Sequence, residues 1–169
     1  MPFDFKKEYK EIYMPKGKPE IVTVPKMNYI AVRGKGNPNE EEGEYKKSIE
    51  LLYGIAYNFQ WISVIRLPDF VTKADFDWAV VEASRKKKMD FSKVEFLEIE
   101  EGLCVQCMHS GSYDGEPATV AAMDKFVADN GYENDISDTR CHHEIYLSDA
   151  RKVAPEKLKT VIRHPIKKK

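Results

Sequence analysis

Three segments of the chain place apolar residues three and four positions apart, which is the spacing of one helical face. The first helix is predicted within 40–56, where an acidic cluster suits the positive N-terminal end of the helix dipole. The second begins near Phe76 and ends in the basic run 85–88. The third begins at Pro117, with Gly131 just past its end. The pattern therefore predicts three helices separated by strand-forming segments.

Short runs of β-branched and aromatic residues predict the strands. Residues 20–24 and 28–34 are interpreted as a pair of neighbouring strands. Residues 94–99 and 103–108 are interpreted as a hairpin that turns through a glycine. The other predicted elements are strands at 61–67, 142–147 and 160–166 and one helical turn at 155–158.

The strand pair with the first helix can be laid over the hairpin with the third helix. In that register Gly36 falls on Gly111. One such unit would thus occur twice, at about 18–90 and about 91–166, with the first copy one strand short. We therefore predict a single α+β domain, 1–169, with an antiparallel sheet and helices packed on one side of it.

The composition of the chain argues against nucleic acid and membranes as binding partners. The 169 residues carry 27 Lys and Arg against 28 Asp and Glu, a net charge of -1. Because the signs balance, no overall field would draw nucleic acid or an acidic membrane surface. No apolar run approaches the roughly 20 residues that span a bilayer, and the N-terminus lacks a secretory apolar core. The odd count of 3 cysteines fits reduced thiols, so we expect a cytoplasmic protein without nucleic-acid or membrane partners.

Three cysteines and a histidine, Cys104, Cys107, Cys141 and His142, could in number complete a zinc site. Cys104 and Cys107 lie three positions apart on a predicted strand, so their side chains should point to opposite faces. A zinc knuckle needs a turn there instead. We therefore predict neither a metal nor a cofactor.

Glu144 is the strongest candidate for function. In the predicted strand 142–147, His142, Glu144 and Tyr146 share one face, and alternation alone favours a solvent-exposed Glu144. If that face lines a cleft, the carboxylate can bind a cation or move a proton. Four of the nine tyrosines, for which packing is the default role, are candidates to line such a cleft: Tyr53, Tyr57, Tyr113 and Tyr146.

Longer motifs resemble one family. The sequences Glu-Glu-Gly-Leu-Cys-Val-Gln at 100–106, His-Ser-Gly-Ser-Tyr-Asp-Gly-Glu-Pro at 109–117 and His-Glu-Ile-Tyr-Leu-Ser-Asp-Ala-Arg at 143–151 are similar to the GyrI-like small-molecule-binding proteins. The resemblance implies a duplicated strand-helix-strand-strand fold, like the effector-binding domain of MerR-type multidrug regulators. It also implies a pocket between the halves that contains a buried Glu144. Segments 18–20, 34–38 and 66–72 extend the similarity over nearly the whole chain.

The resemblance implies a protein that captures amphipathic or cationic aromatic molecules, with two alternatives. One is a hydrolase that opens the cyclopropane ring of alkylating antibiotics, with Glu144 as base and Tyr146, Tyr113 or Tyr57 as the assisting hydroxyl. The other is an inhibitor of a partner enzyme such as a topoisomerase. An open sheet edge would favour a homodimer. The implied catalytic residues are Glu144 and Tyr146, and the implied ligand-binding residues are Glu144, Tyr146, Tyr113, Tyr57, Tyr53, Trp61 and His142.

The chain departs from the family at one place. Full-length relatives carry an extra strand and a tryptophan-bearing segment between the positions of Tyr57 and Arg66, where this chain has only a short connection through Trp61. The gap coincides with the strand missing from the first repeat. Closure of the pocket depends on that segment, and hydrolysis would depend on closure more than binding does.

Overall fold

The structure, a computed structural model, describes residues 3–35 and 60–169. The chain forms two compact units, one made of the residues up to Lys26 together with 100–169, the other of 27–99. The strands are β1 (Glu20–Val24), β2 (Met27–Lys35), β3 (Gln60–Arg66), β4 (Glu95–Ile99), β5 (Gly102–Ser110), β6 (Tyr132–Asn134), β7 (His143–Tyr146) and β8 (Lys159–Lys168). The helices are α1 (Phe5–Glu8), α2 (Lys10–Tyr13), α3 (Lys73–Lys87) and α4 (Glu116–Asp129).

Strand β8 is the strand around which the first unit is assembled. β5 pairs with one edge of β8, and β1 pairs with the far edge of β5. The other edge of β8 is shared by two short strands, β7 opposite 160–163 and β6 opposite 166–168. All these pairs are antiparallel, so β8 carries hydrogen bonds to three other strands.

The strand partners differ from the prediction. Residues 20–24 and 28–34 do form strands, but β1 pairs with β5 whereas β2 pairs with β3 and β4. The predicted hairpin of 94–99 with 103–108 is also wrong, since β4 pairs with β2 and β5 pairs with β8. A two-residue connection suits a hairpin turn as well as a step from one sheet to the next. The described residues thus form two sheets rather than the single shared sheet predicted.

Helix α4 covers one face of the β5–β8 sheet. Pro117 occupies its first turn, where a missing backbone N–H costs nothing, and Met123 and Val127 are buried against the strands. Each such apolar side chain contributes about 1.5–3 kcal/mol by leaving water. The buried cluster on this face consists of Val105, Cys107, Met123, Val127, Ile162 and Ile166.

The opposite face of the same sheet carries a buried polar network. The guanidinium of Arg163, 1% exposed, donates to Oε1 of Glu101 at 2.8 Å and to the carbonyl oxygen of Ile12 at 2.7 Å. Gln106, opposite Arg163 in the β5–β8 register, accepts two further bonds from it through Oε1. Because Ile12 belongs to α2, the network ties the N-terminal segment to the sheet. Helices therefore contact both faces, and the prediction that they pack on one side is wrong.

The second unit has β2 between β3 and β4. Its helix α3 begins with a capping box, in which Thr72 accepts from the backbone N–H of Asp75 and the Asp75 carboxylate accepts from that of Thr72. The rings of Phe76 and Phe96 pack together with centroids 5.8 Å apart. The helix ends at Lys87, in the predicted basic run, and the capping residue after it, Lys88, has a left-handed conformation with φ of 52°.

The α+β class with antiparallel sheets is confirmed, as are the predicted second and third helices. The predicted first helix, 40–56, lies outside the described residues. The single domain 1–169, the duplication at about 18–90 and 91–166 and the cleft between the halves stay predictions. The unpredicted elements α1, α2 and β6 have 4, 4 and 3 residues, too few to show a period in the sequence.

The Glu101–Arg163 pair gives a test of the fold. Glu101→Gln is expected to destabilise the protein by about 3–5 kcal/mol, because it leaves a buried guanidinium without its counter-charge. Burial alone would raise the pKa of Glu101, but His143 and Arg163 hold it below its ordinary value. The pair therefore stabilises the fold fully above the unfolded pKa of about 4.5, and this stability is lost as pH falls through the lower folded value.

Urea unfolding at several pH values measures both effects. The matched control is Glu100→Gln, an adjacent exposed glutamate, which should change the free energy of unfolding by no more than about 0.5 kcal/mol. Equal unfolding midpoints for the two variants would contradict the assignment of Glu101 as the buried counter-charge of Arg163.

Candidate functional site

A carboxylate held by two side chains lies on β7. Because side chains alternate along a strand, Glu144 and Tyr146 share one face, and His143 lies on the other with its Nδ1 3.1 Å from Oε2 of Glu101. The Tyr146 hydroxyl donates a short hydrogen bond to Oε2 of Glu144, and Nε2 of His142 lies 2.8 Å from Oε1. The structure thus brings together the three residues that the sequence placed on one face.

Glu144 is half-buried, with 27% of its side chain exposed. This exposure lies between the solvent-exposed position that strand alternation favours and the buried position that the family resemblance implies. The hydrogen bond with His142 holds the pKa of Glu144 below its ordinary value; burial opposes this, and the bond from Tyr146 adds to it. Burial and then the bond to Glu144 raise the pKa of Tyr146. At neutral pH the pair is therefore a carboxylate and a neutral phenol.

His142 continues this network into the sheet. Its Nδ1 lies 2.7 Å from Nε2 of His164 on β8, a residue only 5% exposed. The two rings meet edge to face with centroids 4.9 Å apart. In the part of the chain that the structure describes, Nδ1 of His164 is buried without a hydrogen-bond partner. A hydrogen-bonded chain thus runs from Tyr146 through Glu144 and His142 to His164.

An open cleft lies between α4 and this network. Its volume of about 510 Å³ falls within the ~300–1,000 Å³ typical of small-molecule sites. Residues three and four positions apart lie on the same face of a helix. The face of α4 that lines the cleft therefore presents both apolar and acidic side chains to it. The lining residues are Tyr113, Glu116, Pro117, Val120, Ala121, Asp124, His142 and Glu144.

Glu116, the first residue of α4, brings a second carboxyl group to the cleft. Its Oε1 is buried and has no hydrogen-bond partner within the described ranges. Burial, and then the charge of Glu144, raise the pKa of Glu116, against the effects of His109 and His142. The cleft thus holds two carboxyl groups whose pKa values are displaced in opposite directions.

The turn before α4 positions Tyr113. His109 of β5 is buried beneath this turn, with Nε2 2.9 Å from the carbonyl oxygen of Ser112 and Nδ1 2.8 Å from the hydroxyl of Thr119. A Cβ at Gly115 would lie 3.2 Å from Cε1 of His109, so a side chain there would have to displace the His109 ring by a few tenths of an ångström. The Tyr113 ring meets that of Tyr146 edge to face, with centroids 5.7 Å apart.

The predicted site residues divide into two groups. His142, Glu144, Tyr146 and Tyr113 lie together at the cleft. Tyr53 and Tyr57 lie outside the described residues, and Trp61 belongs to β3 of the second unit, so their roles in a ligand site stay predictions. As the strand spacing required, Cys107 lies in the core under α4 whereas Sγ of Cys104 donates to the carbonyl of Glu101.

Sequence reasoning missed Glu116, Asp124 and His164. A signal for the first two was present, since Glu116, Val120 and Asp124 recur every four positions on the third predicted helix and so share its face. No such signal exists for His164, because its approach to His142 depends on which strand pairs with β8.

Comparison with known proteins agrees with this architecture. Residues 17–167 match the family model of the GyrI-like small molecule binding domain, so the chain belongs to that family. No curated protein matches the chain. In the described ranges, no helix is long and apolar enough to cross a membrane.

Two solved structures from Listeria innocua are similar over almost the whole chain. One is an uncharacterized conserved protein, 39% identical, with a TM-score of 0.86 and coverage of 98% of this chain and 100% of the other. The other is a hydrolase, also 39% identical, with a TM-score of 0.84 and the same coverage. The C-terminal domain of EcmrR shares the fold at 16% identity and a TM-score of 0.58, covering 90% of this chain and 98% of that domain.

The effect of the Tyr146 hydrogen bond on the pKa of Glu144 can be tested by titration. Tyr146→Phe removes one donor to the carboxylate, so the pKa of Glu144 is expected to rise toward its ordinary value. Carboxyl ¹³C shifts of the glutamates report it directly. Tyr113→Phe, which keeps the ring contact with Tyr146, should leave the Glu144 titration unchanged. An unchanged titration in Tyr146→Phe would show that the tyrosine does not stabilise the charged form.

Proposed function

We propose that the protein binds small aromatic or amphipathic cations in the cleft beside Glu144. The observation that carries this proposal is a half-buried carboxylate, ionised at neutral pH, next to an apolar wall. A charge partly removed from water gains more from a counter-charge than an exposed one, because the local dielectric is lower. Membership of a small-molecule-binding family supports the same use of the cleft.

The groups around Glu144 favour a cation over an anion. Its donor Tyr146 is neutral, and one ring N–H of His142 suffices for the other bond. Glu116 and Asp124 add carboxyl groups on the helix side. The lining residues, all of them within the described ranges, include no lysine or arginine. An anionic ligand would therefore meet repulsion without a compensating partner.

The apolar part of the cleft suits a flat ring. Pro117, Val120 and Ala121 present carbon atoms along α4, and Tyr113 offers an aromatic surface at the end of the cleft. A cation over an aromatic ring gains about 0.5–1 kcal/mol at an exposed site. Charge recognition by Glu144 and ring contact with α4 together define the ligand class as aromatic cations small enough for about 510 Å³.

N-methylacridinium and neutral acridine separate the two contributions, since they share one ring system and differ in charge. In Glu144→Gln the affinity for N-methylacridinium should fall about 10-fold to 100-fold, the worth of about 1.5–3 kcal/mol for a charged partner. The affinity for acridine, measured above neutral pH by fluorescence titration, should stay the same because its ring contacts are retained.

The control variant is Glu156→Gln, which removes an exposed carboxylate outside the cleft and should change neither affinity. Equal N-methylacridinium affinity in wild type and Glu144→Gln would overturn the proposal. Equal losses for both dyes would assign Glu144 a role in shaping the cleft instead of recognising charge.

A second candidate, hydrolysis of a strained cyclopropane ring, is favoured by the two displaced carboxyl groups. Water addition needs a base near the attacking water and an acid near the departing electron pair. Glu144, with its lowered pKa, fits the ionised partner, and Glu116, with its raised pKa, fits the protonated one. A similar protein from Listeria innocua is a hydrolase. We rank this activity second, because a lowered pKa makes Glu144 a weak base.

The substrate of the proposed hydrolysis is an alkylator whose cyclopropane is fused to a conjugated ketone. Glu144 takes a proton from water while the water oxygen bonds to the ring CH₂ carbon. The carbon–carbon bond of the cyclopropane breaks, and its electron pair moves through the conjugated system to the ketone oxygen. That oxygen takes the proton of Glu116 and becomes a phenol. Solvent then returns a proton to Glu116 and removes one from Glu144.

Incubation of the protein with such an alkylator in ¹⁸O-labelled water, followed by mass spectrometry, tests the activity. The expected product carries one labelled water, and Glu116→Gln should slow its formation about 10²-fold, as loss of a general acid does. Glu156→Gln should form it at the wild-type rate. If the alkylator binds to wild-type protein and remains unchanged, the function is binding alone.

A further inference from the structure

The ring of His109 joins the sheet to two other parts of the cleft wall. It lies near the end of β5 and is only 6% exposed. Its Nε2 lies 2.9 Å from the carbonyl oxygen of Ser112, in the turn after β5, and its Nδ1 lies 2.8 Å from the hydroxyl of Thr119, in the first turn of α4. Since a carbonyl oxygen can only accept a hydrogen bond, Nε2 carries a hydrogen and donates it. One buried side chain thus holds both the turn and the start of the helix.

The turn wraps closely around this ring. A Cβ at Gly115 would lie 3.2 Å from Cε1 of His109, and a Cβ at Gly111 would lie 3.6 Å from Nε2. Gly111 also has a φ of 137°, a conformation that favours glycine, and its backbone N–H donates to the carbonyl oxygen of Leu158 at 3.0 Å. The motif at 109–117, which carried part of the family resemblance, is therefore built around the His109 ring.

The same turn presents Tyr113 to the cleft. One turn of 3-10 helix, Tyr113–Gly115, leads directly into α4. The ring of Tyr113 meets that of Tyr146 with centroids 5.7 Å apart. The two residues are 41% and 60% exposed, so burial in the core does not hold their rings in place. The position of the Tyr113 ring therefore depends on the backbone of the turn, which His109 holds from beneath.

We propose that His109 is a positioning residue that holds the ring of Tyr113 where it contacts an aromatic ligand in the cleft. This inference rests on the proposed binding of aromatic cations, and it concerns the ring contact rather than the charge contact with Glu144. Among the described residues that line the cleft, Tyr113 is present and His109 is not, so His109 acts through Tyr113. A second route to the ligand would run through charge, because His109 also lowers the pKa of Glu116. A neutral dye separates the two routes.

A double-mutant cycle tests the proposal, with N-methylacridinium and neutral acridine as the probes. Tyr113→Leu removes the ring contact and should weaken the binding of both dyes about 3-fold to 10-fold. His109→Leu should weaken both by a similar factor. The double variant should bind no more weakly than Tyr113→Leu alone, because the ring through which His109 acts is already missing. Nuclear Overhauser contacts between the rings of Tyr113 and Tyr146 should be present in wild type and lost in His109→Leu.

Thr119 supplies a milder variant and its matched control. Thr119→Val nearly keeps the shape of the side chain and removes the hydroxyl that faces Nδ1 of His109. It should weaken both dyes and the contacts between the tyrosine rings in the same direction as His109→Leu, by a smaller factor. Thr119→Ser keeps the hydroxyl and should bind both dyes as wild type does. The same cycle with Tyr113→Leu can be measured on Thr119→Val if His109→Leu does not fold.

The outcomes distinguish this proposal from the proposed function. If the losses multiply in the double variant, His109 acts independently of Tyr113 and the proposal is overturned. A loss confined to N-methylacridinium would assign the effect to charge and would also overturn it, as would wild-type binding of both dyes by His109→Leu. If the cycle gives the expected coupling but Glu144→Gln binds N-methylacridinium as wild type does, the role of His109 stands and recognition of the cation by Glu144 fails.

Discussion

The alternation of side chains along β8 is the constraint on which the first unit depends. Arg163 points to one face and anchors the N-terminal segment through Glu101 and Ile12, while Ile162 and His164 point to the other. A shift of register by one residue would exchange the faces and place an arginine under α4. The fully buried Arg163 and its ring of acceptors make such a shift costly. The same register that secures the fold therefore places His164 behind the candidate site.

The candidate site combines a charge with an apolar wall at modest burial. Glu144 keeps its charge because His142 and Tyr146 both form hydrogen bonds with its carboxylate and lower its pKa. At Glu116 burial is the largest influence and raises the pKa. Two carboxyl groups in one cleft thus have their pKa values displaced in opposite directions through their surroundings alone. The proposed recognition of a cation depends on the charge of Glu144, whereas ring hydrolysis needs both Glu144 and Glu116. A substitution at Glu116 therefore distinguishes the two activities.

The sequence predicted local structure better than strand pairing. Apolar spacing located α3 and α4, and alternation correctly placed His142, Glu144 and Tyr146 on one face. The sequence could not predict the pairing of β1 with β5. The short connections after β1 and β4 suit hairpin turns as well as crossings from one sheet to another. The contact of His142 with His164 joins residues far apart in sequence, and only the β7–β8 pairing brings them together.

The central claim is that the ionised Glu144 receives the charged part of an aromatic cation in the cleft against α4. A crystal structure of the protein with N-methylacridinium tests it most directly. We expect the ring to lie against Pro117 and Val120 with its charged nitrogen facing the Glu144 carboxylate. A dye bound outside the cleft, or bound in it with the nitrogen turned to solvent, would contradict recognition of the cation by Glu144.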